Sequence, residues 1–370
     1  AAMRTLIVNN ARAAATALAC LLGIVVLPGT ATAEPYLAVE SGLKCANCHV
    51  NPAGGGKRTQ FGTLYARTQI TANALGEGGG KPWTGDLGKW FAVGGDFRGG
   101  YESYDAPGVE EESSTDISRT TVYALVKAIP NLLAFYVDEK ILPDEAENRE
   151  AYVLLTPKNG KYIVKAGQMF LPFGLRIEDD DAFVRQSSNI NFNTPADGVE
   201  LGLELPKWTA QVAVTEGPSS DSDSTDHLSL SAAYVKPRWR VGASFNSISD
   251  PLGDRNMQGL FAGFKTGKIS WLTEIDFISD ESSSGDLNSY ATLLEGNWRL
   301  HKGHNLKVTY EFLEPNTDRG EDQQEKYSLV WEYSPIQFVQ SRVGFRSYNG
   351  IPNYPLSNRE ELFAELHVYF

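Results

Sequence analysis

Cysteine, methionine and histidine are scarce in this chain of 370 residues, with three Cys, three Met and five His. Three cysteines cannot build a disulfide framework, so a small stapled secreted scaffold is excluded. Basic residues are outnumbered. Lys and Arg total 33 against 46 Asp and Glu, a net charge of −13. Removing Arg4 and Arg12 of the N-terminal stretch leaves 31 basic residues against the same 46 acids. Nucleic acid is excluded as a partner, because its phosphates demand clustered Lys and Arg. The surface suits cations instead. Beyond residue 33 no apolar run is long enough for a transmembrane helix. That leaves a β-barrel open, since barrel strands hide their apolar face by alternation.

The one long apolar run lies at the N-terminus. Arg4 and Arg12 precede a small-apolar stretch at 13–27, and Ala31-Thr32-Ala33 follows with the small-x-small cleavage pattern before Glu34. Residues 1–33 are therefore expected to be a secretion signal. Cys20 would leave with it, so the mature chain would keep only Cys45 and Cys48.

Those two cysteines stand in Cys45-Ala46-Asn47-Cys48-His49. Cys-x-x-Cys-His is the attachment motif of c-type haem. Two thiols at this spacing reach the two vinyl groups of one porphyrin, and the adjacent His ligates the iron from the proximal side. A structural zinc site needs four ligands, and no second Cys pair exists. A thioredoxin-like pair needs a βαβ context, which is missing here. One covalent haem c is the expected cofactor, held by Cys45, Cys48 and His49.

Residues 34–88 are expected to form a short cytochrome segment, small for a domain and suited to plugging a barrel. Asn51-Pro52-Ala53-Gly54-Gly55-Gly56 reads as a turn and loop. Phe61-Gly62-Thr63-Leu64-Tyr65-Ala66 reads as a short helix. Leu43, Phe61, Leu64, Tyr65 and Trp83 either face the porphyrin or fill ordinary core. No His or Met occurs between Val50 and Gly88. The iron is then five-coordinate, or a distal ligand comes from elsewhere. His367 is the first candidate, with His301, His304 and Met169 behind it.

From Trp90 onward, alternating segments recur between turn residues. Sixteen are expected, centred near 96, 122, 136, 153, 164, 201, 211, 231, 242, 261, 273, 294, 309, 330, 342 and 364. Their connections alternate between tight turns, such as Lys236-Pro237-Arg238 and Thr266-Gly267-Lys268, and long acidic loops. The loops hold Glu110-Glu111-Glu112, Asp179-Asp180-Asp181 and the acids of 144–147, 221–226, 280–286 and 318–325. This asymmetry is that of short periplasmic turns and long extracellular loops. Residues 89–370 are thus expected to be an all-β, 16-stranded antiparallel transmembrane barrel in a bacterial outer membrane. Val199, Leu201, Leu203 and Leu205 would face lipid, with Glu200 and Glu204 inward. Lumen charges of both signs (Glu274, Asp276, Glu295, Glu311, Glu332 and Glu365 beside Lys165, Arg240, Arg299, Lys307, Arg342 and Arg346) fit either a solvated pore wall or a charge-paired, plugged interior.

Gly167-Gln168-Met169-Phe170-Leu171-Pro172-Phe173-Gly174 resembles a run found in phosphate-selective porins. That resemblance implies a long loop, here residues 169–196, folded into the lumen. The whole arrangement, a Cys-x-x-Cys-His segment directly ahead of a sixteen-stranded barrel, resembles the fused outer-membrane monohaem cytochrome–porins, which include Fe(II) oxidases. The resemblance is specific around Gly42 to His49. Before the motif this chain has Val39-Glu40-Ser41-Gly42 where the Fe(II) oxidases have Arg-Gln-Thr-Gly. It implies an electron conduit between an extracellular donor such as Fe(II) and a periplasmic c-type cytochrome, an Fe(II):cytochrome c oxidoreductase activity in enzyme terms. The alternative is a diffusion porin for anions or small solutes, with the haem segment as gate or sensor.

Overall fold

The computed structural model describes residues 34–76, 82–177, 179–190, 194–216, 226–250, 253–282, 285–352 and 354–370. The expected signal at 1–33 lies outside them, as does most of the acidic stretch at 221–226.

Sixteen strands run from β1 (Phe91–Asp105) to β16 (Glu360–Tyr369), each paired antiparallel with its sequence neighbours. β1 closes the cylinder on β16, from Asp96 opposite Tyr369 to Asp105 opposite Glu360. Every expected strand centre falls within one observed strand. Closure removes the two free edges that an open sheet would expose, so every backbone polar group inside lipid finds a partner in the wall.

Alternation decides what each face meets. On β6 (Ala196–Glu204), Val199 and Leu201 are exposed on the outer surface while Glu200 is fully buried. On β9 (Trp239–Asp250) and β13 (His304–Glu314), Val241 and Val308 face out, and Arg240 and Lys307 face in. Exposed aromatics at the tight-turn ends of the strands include Trp90, Phe135, Tyr162, Trp208, Trp239, Trp298 and Phe370, and Tyr327 lies toward the long-loop end. An apolar band bordered by aromatic rings is the lipid-facing surface of a transmembrane barrel. No described helix is long and apolar enough to cross a membrane; the strands make the crossing.

Some strands outrun the expectation. Asp280 and Glu281, expected in a loop, belong to β11 (Ile269–Ser282) and pair with Arg255 and Asp254 of β10 (Gly253–Thr266). A hairpin ladder needs no lipid, so pairing continues beyond the apolar band.

Much of the lumen is filled. Helix α1 (Pro35–Ser41) buries Tyr36, Leu37 and Val39 against Ala233, Val235, Phe261, Leu272 and Leu293 of the wall. Each such side chain contributes about 2 kcal/mol of burial. Pro35 opens the helix and Gly42 ends it at φ 70. A side chain at Gly42 would meet the Pro237 backbone at 2.8 Å, so glycine is needed twice over at this position. The long connection between β5 (Tyr162–Met169) and β6 folds inward as expected. Its helix α5 (Phe183–Ser188; α2, α3 and α4 are Cys45–Cys48, Gln60–Tyr65 and Pro157–Gly160) lies against β11, β12 (Leu287–His301) and β13. The Phe183 amide donates to Glu311 at 2.7 Å and the Leu175 amide to Glu274 at 2.8 Å.

Candidate functional site: a cavity inside the barrel

Helix α2 is a single turn that places Cys45 and Cys48 three residues apart on one face. Its first turn is held by the Lys44 amide donating to Asn47 Oδ1 at 2.9 Å, and its end by the His49 amide donating to the Cys45 carbonyl at 2.9 Å. Residues 49–58 then turn back on themselves. Val50 N–H reaches the Lys57 carbonyl, and Thr59 N–H the Cys48 carbonyl, both at 2.9 Å. Gly54, Gly55 and Gly56 all carry positive φ, which makes this turn the glycine-rich loop that was expected. Helix α3 starts on Thr59, whose hydroxyl accepts from the Gly62 amide at 3.1 Å. A side chain at Gly62 would stand 2.2 Å from the Cys48 carbonyl oxygen. The glycine thus lets α3 lie directly on the cysteine turn.

Cys45, Cys48 and His49 line one cavity inside the barrel, open at its mouth. Its walls come from three sources. The N-terminal segment supplies Leu43, Gly62 and Tyr65; the inward loop supplies Phe170 to Arg176, Val184 and Arg185; the barrel supplies Arg240, Phe261 and Glu274. Of the expected facing residues, Leu43 and Tyr65 line the cavity, whereas Leu64, Trp83 and the half-exposed Phe61 do not. Four arginines border the space: Arg58, Arg176, Arg185 and Arg240. None was singled out as a site residue from the sequence, because they come from three separate segments and no spacing links them.

The thiols are held neutral. Burial pushes Cys48 up to about 11 and raises Cys45 as well, against the opposing pull of Arg240. A dithiol redox pair works through a depressed thiol, so this environment argues against that use of the motif.

His367 stands elsewhere. It faces inward on β16, as alternation requires, but lines no part of this cavity. Its Nε2 is 2.6 Å from Asp96 Oδ2, its Nδ1 is 3.4 Å from Gln340 Oε1, and its ring stacks on Tyr369. The wall therefore engages both ring nitrogens of the expected distal ligand. His304 stacks on Tyr333 and Trp331 at the tight-turn end, and Met169 is buried in a cluster with Tyr136 and Tyr152.

The segment carrying the motif is tied around the wall. Lys44 pairs with Glu204, Glu40 with Arg299 at 3.1 Å, Glu34 with Lys307 at 2.9 Å and Asp86 with Lys127 at 2.5 Å. Asn51 donates to Glu150 at 2.9 Å, Arg240 donates to the Ala38 and Leu43 carbonyls, and the Leu75 amide reaches Gln337. Two of the mixed lumen charge sets are paired and dry: Lys165 with Glu200 and Lys326 with Glu311 meet at 2.9 Å with all four side chains at most 1% exposed.

No family model and no curated protein sequence matches the chain. Solved structures do. The anion-selective porin from Comamonas acidovorans aligns at 10% identity over 76% of this chain and 99% of its own, with a TM-score of 0.61. A loop-deletion form of OmpT, an outer-membrane protein of Vibrio cholerae, aligns at 12% identity, 76% and 99% coverage and a TM-score of 0.59. OprB of Pseudomonas putida aligns at 8% identity, 77% and 95% coverage and a TM-score of 0.59. At such identities the likeness speaks for architecture alone, and the architecture is that of an outer-membrane porin barrel.

Proposed function

We propose that this chain is an outer-membrane conduit for single electrons, holding one covalent haem c in its plugged lumen. The observation that carries the reading is the placement of Cys45, Cys48 and His49 on a single cavity inside the barrel. The cavity fits the group on three counts. Two neutral thiols and an imidazole come together at the required spacing, apolar side chains such as Leu43, Tyr65 and Phe173 offer a face for a porphyrin, and four arginines offer partners for its carboxylates. Cys45 and Cys48 would carry the thioether bonds and His49 would ligate the iron. When bound, haem c supplies a one-electron carrier.

The chain's own residues do the rest. Ion pairs to the wall hold the motif inside the barrel, so a haem there would shorten the path across a hydrocarbon core about 30 Å thick. Dry ion pairs such as Lys165 with Glu200 and Lys326 with Glu311 pack the wall around that cavity. The acidic outer loops concentrate cations such as Fe(II) near the mouth. An extracellular donor and a periplasmic c-type cytochrome are the partners of this reading.

A second reading, a diffusion porin gated by the N-terminal segment, is favoured by the porin architecture of the structural neighbours. Planar-bilayer currents and stopped-flow mixing with Fe(II) separate the two. The conduit requires small currents and a change of the haem Soret band on mixing. Large currents with no Fe(II)-driven change of that band would leave the porin.

A further inference from the structure

Two buried acids take no part in the ion pairs described above. Glu274 and Asp276 are alternate inward residues of β11, and both are nine-tenths or more buried. Asp276 faces Gly259 on β10 and Ala291 on β12, neither of which offers a side-chain donor. Phe173 of the inward loop lies over the same spot, 3.4 Å from where a Gly259 side chain would begin. Glu274 accepts only the Leu175 amide, and the Asp276 oxygens meet no donor among the described residues.

Elsewhere in the lumen acids face cations: Glu200 faces Lys165, Glu311 faces Lys326 and Glu332 faces Lys307. Here the neighbouring charges are committed to other partners. Arg185 of α5 bonds the Ile177 carbonyl and Asp180, and Arg176 lies over the Phe170 ring. Arg240 of β9 bonds the Ala38 and Leu43 carbonyls. From the N-terminal segment, Glu34, Tyr36, Glu40 and Lys44 are engaged by Lys307, Glu332, Arg299 and Glu204. The Glu274 and Asp276 carboxyls lie within hydrogen-bond reach of each other. Two ionised carboxylates are both acceptors and repel; one proton between them supplies the missing donor and removes the repulsion. Glu274 also lines the cavity that holds Cys45, Cys48 and His49, so its charge acts on whatever binds there.

We propose that Glu274 and Asp276 form a one-proton site coupled to the redox state of the group held at Cys45, Cys48 and His49. This inference rests on the haem reading. The pair takes up one proton from solvent, through the cavity mouth, when a one-electron donor delivers an electron to the site. It returns that proton when the electron leaves, so the net charge of the buried site is the same in both states.

The test is a redox titration of the holoprotein, followed by haem absorbance at a series of pH values. It compares the native chain with Glu274→Gln, Asp276→Asn and the double variant. A linked proton lowers the native midpoint potential as pH rises, approaching 59 mV for each tenfold change in proton activity. The variants are expected to lose that slope. A flat native profile, or a slope that survives in the double variant, overturns the inference. Infrared spectroscopy supplies a readout independent of haem: a protonated-carboxyl band that shifts in heavy water and is absent from the variants. Protein lacking covalent haem would sink the functional reading, while that band would still report whether the two carboxyls share a proton; its absence from the reduced native holoprotein counts against the pair.

Discussion

Lys307 of β13 stands 2.9 Å from Glu34, the first described residue of the segment that carries the cysteine motif. Both side chains are at most 7% exposed, and the same ammonium reaches Glu332 at 3.1 Å. One cation thus serves as the counter-charge for a plug acid and a wall acid together. Lys307→Met would remove a close cation from both, leaving Arg342 3.8 Å from Glu332, and breaking a buried pair by removing one partner costs about 3–5 kcal/mol. The expected results are a lower urea midpoint in detergent and larger single-channel currents as the plug loosens. Unchanged values of both would show that the pair does not hold the segment in place.

The cysteine turn should be separable from the barrel. A Cys45→Ser/Cys48→Ser double variant is expected to lose the haem-staining band after denaturing electrophoresis while keeping the heat-modifiable mobility of a folded barrel. His49→Ala should keep the covalent band but alter the absorption spectrum. Retention of covalent haem in the double serine variant would remove Cys45 and Cys48 from the assignment.

Gly62 is a steric requirement. Any β-carbon there comes within 2.2 Å of the Cys48 carbonyl oxygen, which is backbone and cannot swing aside. Gly62→Ala is expected to cost about 1–3 kcal/mol, because α3 must lift off the turn. Less covalent haem per barrel in pyridine-haemochrome assays is the readout, against an unchanged ratio for Gly76→Ala, where a β-carbon meets open space.

Lys57 gives the plug a pH dependence. Burial lowers its pKa from the ordinary 10.5 to about 8, although Asp86 pulls the other way. Below pH 8 the folded plug carries a buried ammonium that the unfolded segment would hydrate. The unfolded state binds more protons between about 8 and 10.5, so stability rises with pH across that window. The penalty below it is on the order of 3 kcal/mol. Lys57→Met is expected to slow proteolysis of the N-terminal segment at pH 7 and to change little at pH 10.5. Equal protection at both pH values would contradict this account of Lys57.

Much of the wall was legible because its physics is local. Each strand states its own orientation through a period of two, as Val199, Glu200 and Leu201 do, and a turn such as Lys236-Pro237-Arg238 needs only its own residues. Strand ends were less legible. Asp280 and Glu281 look like loop acids, yet they extend β11 by backbone pairing with β10, where Asp280 also meets Arg255 at 3.4 Å. The inward direction of His367 followed from alternation, but its engagement with Asp96 joins the last strand to the first, and only closure of the cylinder brings those two together.

The amino-acid order by itself determined the number of strands, the inward and outward faces and the single cysteine–histidine motif, since each depends on spacing along a few neighbouring residues. Only the tertiary structure decided what surrounds that motif. Arg58, Arg176, Arg185 and Arg240, the inward loop and Glu274 meet at one cavity because a closed wall forces distant segments to share a narrow lumen. Whether a lumen acid finds a cation or another acid depends on which side chains meet across that space, and no period or motif along the chain encodes it.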